Sequence, residues 1–269
     1  MSEKAFGLIG YPLGHSKSRE IHLKLLEAAN IKGDYSYFET PPEALENRVE
    51  ELKSIDGFNV TIPNKIEIIP YLDKLSKKAK LFGAVNTVEN KKDKLIGHNT
   101  DCEGFLRALK GAEIDLKGRV LVLGSGGVSR MFAFESALAG ADVTIGARNV
   151  DKALQLKKEI KEKTKKDCRI ITLSTAGEYD LIINGTPVGM YPNADASPVP
   201  KEVVQRAGAV FDAVYNPVET QFISFAKEAG IKYCNGLSML VWQAAVAEEI
   251  WNGVKFDEEV VENIIEELR

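Results

Sequence analysis

Short apolar runs alternate with stretches of helical period along most of the chain. Residues 4–10 are almost all apolar, which suits a strand buried on both faces. From about Arg19 to Asn30, Ile21, Leu25, Leu26 and Ala29 fall at helical spacing and predict an amphipathic helix. Tyr35 to Glu39 reads as a strand. Pro41 and Pro42 suit the first turn of the next helix, where a missing N–H costs nothing. Phe58 to Ile62 is strand-like and stops at Pro63, and helical pieces follow to about Lys80. Ala84 to Glu89 is extended again, and Leu95 to Asn99 is placed to pair with it. A helix beginning near Asp101 connects the two halves of the chain.

The second half alternates more regularly. Val120 to Leu123 is a strand-like run, and Met131 to Ala139 is apolar and helical. Ala141 to Gly146 is a second strand, followed by a charged helix from Val150 to Lys165. Further strands are expected at Arg169 to Leu173, Asp180 to Asn184 and Val210 to Val214, with a helix from Glu219 to Ala229. Two last helices cover Leu237 to Trp251 and Asp257 to Leu268. Strands alternating with helices imply a mainly parallel sheet with right-handed crossovers.

Between the strand at Val120 and its helix lies Gly124-Ser125-Gly126-Gly127-Val128-Ser129-Arg130. Residues without Cβ let the chain turn sharply and let a phosphate approach the backbone. The helix end that follows favours an anion through its free N–H groups and dipole. Gly124 and Gly126 match the first two glycines of the dinucleotide pattern, while Ser129 stands at the third. A glycine loop alone is weak, because such loops also join strand to helix for packing reasons. The next strand sharpens it. An NAD site wants an acid at that strand end to bond the ribose. Here Ala147-Arg148-Asn149 stands there, with Lys152 one turn on. Cations at that place suit a 2′-phosphate, so the expected cofactor is NADP(H).

Bulk properties narrow the field without choosing within it. The chain has 269 residues, 44% of them hydrophobic and 28% charged, with net charge −4. That is ordinary for a soluble globular protein. It gives no basic footprint for nucleic acid or an anionic membrane surface, and no apolar run approaches a bilayer span. Cys102, Cys168 and Cys234 are few and scattered, which fits reduced thiols in the cytoplasm better than a disulfide framework or a metal site.

The first half carries polar residues at strand ends and loops. Ser16 and Ser18 lie two apart in a turn-rich segment; Ser18 alone reads as a helix cap. Thr61 and Lys65 flank Pro63. Asn86 interrupts an apolar run, where its amide must find partners. Asp101 suits a helix cap. Taken singly, each has a bland explanation.

Taken together, their order resembles the shikimate dehydrogenase family over essentially the whole chain. The stretches that carry the resemblance are Gly10-Tyr11-Pro12 with His15-Ser16-Lys17-Ser18, Asn59-Val60-Thr61-Ile62-Pro63-Asn64-Lys65, Gly83-Ala84-Val85-Asn86-Thr87 and Asn99-Thr100-Asp101. The glycine loop, Asn184-Gly185-Thr186-Pro187-Val188-Gly189-Met190, Asp212-Ala213-Val214-Tyr215-Asn216-Pro217 and Gly236-Leu237-Ser238-Met239-Leu240-Val241-Trp242-Gln243 continue it. The resemblance implies an α/β protein of two domains. Residues 1–101 would form the substrate domain and 102–236 a Rossmann-like NADP-binding domain. Residues 237–269 would be helices returning to the first domain, with a cleft between the two domains. It implies interconversion of shikimate and 3-dehydroshikimate with NADP(H), on the route to chorismate and the aromatic amino acids. Ser16, Ser18, Thr61, Lys65, Asn86, Asp101, Tyr215 and Gln243 match substrate-binding positions, with Lys65 and Asp101 at the reacting carbon. Gly124, Ser125, Gly126, Gly127 and Val128 would hold the pyrophosphate. Ala147, Arg148, Asn149 and Lys152 would meet the 2′-phosphate, and Ala213 and Gly236 the nicotinamide. No metal is implied, and a homodimer is the assembly considered.

Several departures stand out. Arg19 replaces a frequent proline, Lys77 an acid, Ala147 an asparagine, Asn149 a serine or threonine, and Gly185 an alanine, the last a minor change. The rival readings are a quinate or dual quinate/shikimate dehydrogenase using NAD(H), a non-catalytic ligand-sensing regulator, and a folate-linked dehydrogenase. Of the histidines, His15 is expected to shape the serine loop, His22 to lie on or pack under its helix, and His98 to be structural. Trp242 and Trp251 are expected to pack rather than to bind a ligand.

Overall fold

The computed structural model describes residues 3–14, 16–172 and 177–269. His15 and Leu173, the end of an expected strand, lie outside the described residues. By contacts the chain divides into one unit of residues 1–104 with 241–268, and a second of residues 105–240. The divisions fall inside two helices.

The first unit opens with β1 (Lys4–Gly10), α1 (Ser18–Ala28), β2 (Gly33–Glu39), α2 (Leu45–Glu51), β3 (Gly57–Val60) and α3 (Asn64–Glu67). β4 (Lys74–Leu75), α4 (Lys77–Phe82), β5 (Thr87–Lys91) and β6 (Lys94–His98) follow, then α5 (Asp101–Gly111), in which the second unit begins. The sheet order is β2-β1-β3-β5-β6-β4. β1 pairs in parallel with β2 and β3, and β5 is antiparallel to β3 and β6. Alternation along β1 explains its two faces. Ile9 packs with Leu45 and Val49 of α2. Phe6 and Leu8 pack on the other side with Leu26, Tyr35 and the C-terminal Ala247 and Trp251. Trp251 also donates through Nε1 to Val88 O at 2.9 Å.

The second unit contains β7 (Arg119–Leu123), α6 (Gly127–Leu138), β8 (Asp142–Gly146), α7 (Val150–Thr164), β9 (Arg169–Ile171) and β10 (Leu181–Asn184). It continues through α8 (Lys201–Val204), β11 (Ala209–Asp212), α9 (Gln221–Glu228) and β12 (Lys232–Cys234). α10 (Gly236–Asn252) leads back to the first unit, which α11 (Glu258–Glu267) completes. The second sheet is wholly parallel, in the order β12-β11-β10-β7-β8-β9. The chain runs outward from β7 through β9, then restarts beside β7 at β10. That reversal is a topological switch point, where α/β sheets bind ligands outside the carboxyl ends of their strands.

Several boundaries move for physical reasons. β3 stops at Val60, because Thr61 already turns: its N–H donates to Ile9 O at 2.8 Å and its carbonyl accepts from Asn64 N at 2.9 Å. α6 begins at Gly127 rather than near Met131. β4, β12 and α8 have two to four residues each, too few to show a period. Among the described residues, no helix is long and apolar enough to cross a membrane.

Candidate functional site

In the first unit, two chain segments reach Asp101 and a third reaches the amide beside it. The turn after β3 delivers Lys65 in the first turn of α3, and Nζ donates to Asp101 Oδ2 at 2.7 Å. The segment before β5 delivers Asn86, whose Nδ2 reaches Asp101 Oδ1 at 2.8 Å and Thr100 Oγ1 at 3.0 Å. The same nitrogen lies 3.2 Å from Gln243 Oε1 on α10. Asn86 Oδ1 accepts from Thr100 N at 2.7 Å. The amide is thus held on both sides, as a buried amide must be. Lys65 and Asp101 keep 32% and 18% of their side-chain surface, so the pair is accessible from one side.

Asp101 is not a helix cap. It is the first residue of α5, and both carboxylate oxygens face Lys65 and Asn86. Ser18 is not a cap either: it is the first residue of α1, whose N-cap is Lys17 with no side-chain cap bond. Ser16 Oγ donates to Ser18 Oγ at 3.0 Å and accepts from Ser18 N at 3.2 Å. Thr61 is half-buried on the turn leading to Lys65, against the end of β1, where a Cβ on Gly10 would lie 2.3 Å from its methyl. Tyr215 belongs to the second unit, three residues past β11, and is half-buried. Lys77 is exposed at the start of α4.

Three buried side chains behind this cluster are singled out only by the structure. Asn59 donates to Thr87 Oγ1 at 3.0 Å and to Asn86 O at 3.2 Å. Thr87 and Thr100 hydroxyls lie 3.0 Å apart. All belong to motifs already quoted, but strand alternation alone does not say which of their polar groups turn inward.

In the second unit, the glycine loop joins β7 to α6. Gly124 has φ +104, a left-handed conformation that glycine alone adopts freely. Its N–H donates to Gly146 O at 2.7 Å, which ties the loop to the end of β8. A Cβ added at Gly126 or Gly127 would meet nothing within 4 Å. α6 has no side-chain cap and no acid in its first turn. Open space above uncapped N–H groups is what a pyrophosphate needs, so these residues fit a dinucleotide. Ser125 and Val128 are half-buried beside them.

Ser129 fills the third-glycine place with its hydroxyl turned inward, donating to Gly185 O at 2.9 Å. A Cβ on Gly185 would lie 2.4 Å from that hydroxyl and 3.0 Å from Ser129 Cα. The glycine at 185 is therefore not a minor change: it makes room for the serine.

At the end of β8, Ala147 is buried, while Arg148, Asn149 and Lys152 are exposed. Asn149 Oδ1 accepts from Lys152 N at 2.9 Å and caps α7, leaving only its amide for a ligand. Among the described residues, neither Arg148 nor Lys152 has a carboxylate partner. Ala213 follows β11, and Gly236 packs against it so closely that a Cβ would lie 2.3 Å from Ala213 O. Beneath them Asp212 is fully buried. It accepts from Asn184 Nδ2 at 2.8 Å, Val214 N at 3.0 Å and Thr220 Oγ1 at 2.6 Å. Burial still raises its pKa to about 6, against the pull of those three donors.

Of the histidines, His22 is completely buried, with Nδ1 2.6 Å from Glu248 Oε1. His98 is half-buried in β6, and burial lowers its pKa. Trp251 packs in the core, stacked on Phe6 at 4.8 Å.

Two family domains match the chain. The shikimate dehydrogenase substrate binding domain matches residues 8–88, and the shikimate 5'-dehydrogenase C-terminal domain matches 236–266. A shikimate dehydrogenase (NADP(+)) of Caldanaerobacter subterraneus subsp. tengcongensis is 44% identical over 265 residues, covering 96% of this chain and 95% of its own. A shikimate dehydrogenase crystallised with NADP+ superposes with TM-score 0.91 at 40% identity, over 99% of this chain and 96% of that one. The Thermus thermophilus enzyme, solved with NADP(H) and shikimate, gives TM-score 0.90 at 38% identity, over 99% and 100%.

Proposed function

The chain belongs to the shikimate dehydrogenase family, and from that premise we propose that it interconverts 3-dehydroshikimate and shikimate, with Lys65 and Asp101 at the reacting carbon. It is an NADP-dependent oxidoreductase. The observation that carries the residue assignment is the convergence of Lys65, Asn86 and Gln243 on or beside Asp101. A hydroxylated ring acid needs fixed donors and acceptors rather than apolar wall. That cluster offers an ammonium, a carboxylate and two amides, with Ser16, Ser18 and Thr61 on neighbouring loops of the same unit.

In the reducing direction Lys65 is the proton donor to the carbonyl oxygen. Asp101 orients the ammonium and accepts from a neighbouring ring hydroxyl. Asn86 and Gln243 hold further hydroxyls, the two serines hold the carboxylate, and Tyr215 adds a phenol. NADP(H), when bound, supplies or takes up the hydride. Residues 124–128 would hold its pyrophosphate, Arg148 and Lys152 with the Asn149 amide its 2′-phosphate, and Ala213 and Gly236 its nicotinamide end. The domain boundaries suggested by the sequence are part of the same proposal. Cys102, Cys168 and Cys234 are buried thiols, which supports a reducing compartment, the cytoplasm.

The test is absorbance at the reduced-nicotinamide band, with shikimate and NADP+, then NAD+, then quinate. Turnover fastest with shikimate and NADP+ is expected. Equal turnover of quinate, or equal use of NAD+, would overturn the substrate or the cofactor assignment respectively.

A further inference from the structure

Behind the substrate cluster, Tyr35 on β2 is completely buried. Its Oη donates to Asn59 Oδ1 at 2.7 Å. The direction is fixed by chemistry. Asn59 Nδ2 faces two acceptors, Asn86 O and Thr87 Oγ1, so its carbonyl oxygen must face Tyr35. The phenol therefore gives its one proton to Asn59. A single relay thus runs from Tyr35 through Asn59 to the backbone of Asn86 and the Thr87 hydroxyl.

The ring that carries this hydroxyl is itself pinned. Tyr35 stacks on His22 with centroids 4.2 Å apart and planes 12° from parallel. His22 is held by Glu248 at 2.6 Å, and Glu248 accepts from Asn252 Nδ2 at 2.7 Å. α1 and α10 therefore fix the ring from behind, and the ring fixes the relay.

We propose that Tyr35 is a positioning residue, whose hydroxyl locks the Asn59–Asn86 arm in one register for the ring acid. The inference rests on the substrate site proposed above. Tyr35 touches no substrate in this account. It holds the Asn59 amide so that it supports Asn86, and chains of this kind strengthen one another in a low-dielectric interior. Without the hydroxyl, the Asn59 amide loses the donor that defines its orientation.

The test is Tyr35→Phe, which keeps the ring and its stacking. Rates are measured against shikimate and NADP+, alongside Asn59 side-chain and Asn86 backbone amide resonances. The expected result is a shikimate KM raised about ten-fold, as for one lost hydrogen bond, with the NADP+ KM unchanged. A Tyr35→Phe protein that is merely less heat-stable, with shikimate KM unmoved, overturns the proposal. If the wild-type protein fails to turn over shikimate, the substrate reading falls. The relay is then judged on the resonances alone, where an unchanged Asn86 signal would refute it and a shifted one would sustain it.

Discussion

Lys65 and Asp101 lie 36 residues apart in the chain, and their side chains meet at 2.7 Å. A lone lysine after a strand would be a surface charge, and a lone aspartate before a helix would be a cap. Their meeting, with Asn86 on the other carboxylate oxygen at 2.8 Å, makes them one group. Lys65→Ala is expected to lower kcat by about 10² to 10⁴, the range of a lost acid–base group, with a smaller change in shikimate KM. Asp101→Asn should lower kcat and also raise KM, because the amide presents N–H to Lys65 or to Asn86, both of which are donors. Steady-state rates on folded variants, checked by circular dichroism, decide it. A Lys65→Ala enzyme with near-normal kcat would remove the lysine from the chemistry.

The pair was implied by the family resemblance alone, since taken singly the lysine reads as a surface charge and the aspartate as a helix cap. The doubly wound half was legible directly, because buried parallel strands are plain apolar runs. What stayed hidden is side-chain direction. His22 lies on the apolar stripe of α1, and its partner Glu248 is 226 residues away, so no local pattern announces that two polar groups share the core. Asn149 reads as a phosphate ligand from its place after β8, yet its oxygen closes the first turn of α7. The strands β4 and β12 are edge strands at the ends of their sheets, too short for alternation to register.

Asp212 makes stability pH-dependent in a definite direction. Its pKa is raised from 3.8 to about 6 by burial, so the folded state binds a proton more readily than the unfolded state. Stability is therefore gained as pH falls through about 6, and the gain is complete below about 4. The difference in unfolding free energy between wild type and Asp212→Asn should shift in favour of wild type, by on the order of 3 kcal/mol, between pH 7 and pH 4. Urea titrations across that range measure it, with other titrating groups cancelling in the difference. A difference that does not change with pH would contradict the shift.

Ser129 and Gly185 are matched across the contact between α6 and β10. The serine hydroxyl occupies the space that a side chain at 185 would need, and it bonds the Gly185 carbonyl at 2.9 Å. Gly185→Ala should cost about 1 kcal/mol, the low end for overpacking, because a short side chain can turn aside only by giving up its bond. In a Ser129→Ala background the same change should cost less, since the two sites share one space. Chemical denaturation of the four proteins completes the cycle, and additive costs would show that the contact is not shared.

In the proposed cofactor site Arg148 stands just past the end of β8, beside the expected 2′-phosphate. The parallel register sets Leu123 beside Gly146, so the end of β8 lies next to the glycine loop. At that place an acid would bond a ribose hydroxyl and repel a phosphate. This chain has Arg148 and Lys152 instead, both exposed. An exposed cation is screened and weakly held by its own fold, but it stays available to a dianion, to which a guanidinium presents two parallel donors. Asn149 is largely spent on capping, so in the proposed site the two cations would carry the recognition. Arg148→Ala should raise the NADP+ KM about ten-fold or more while leaving the NAD+ KM nearly unchanged, and Lys152→Ala should act the same way more weakly. The effect should shrink as salt is added. If Arg148→Ala raised both cofactor constants equally, the arginine would be holding a part common to both dinucleotides, and the preference for the extra phosphate would need another source.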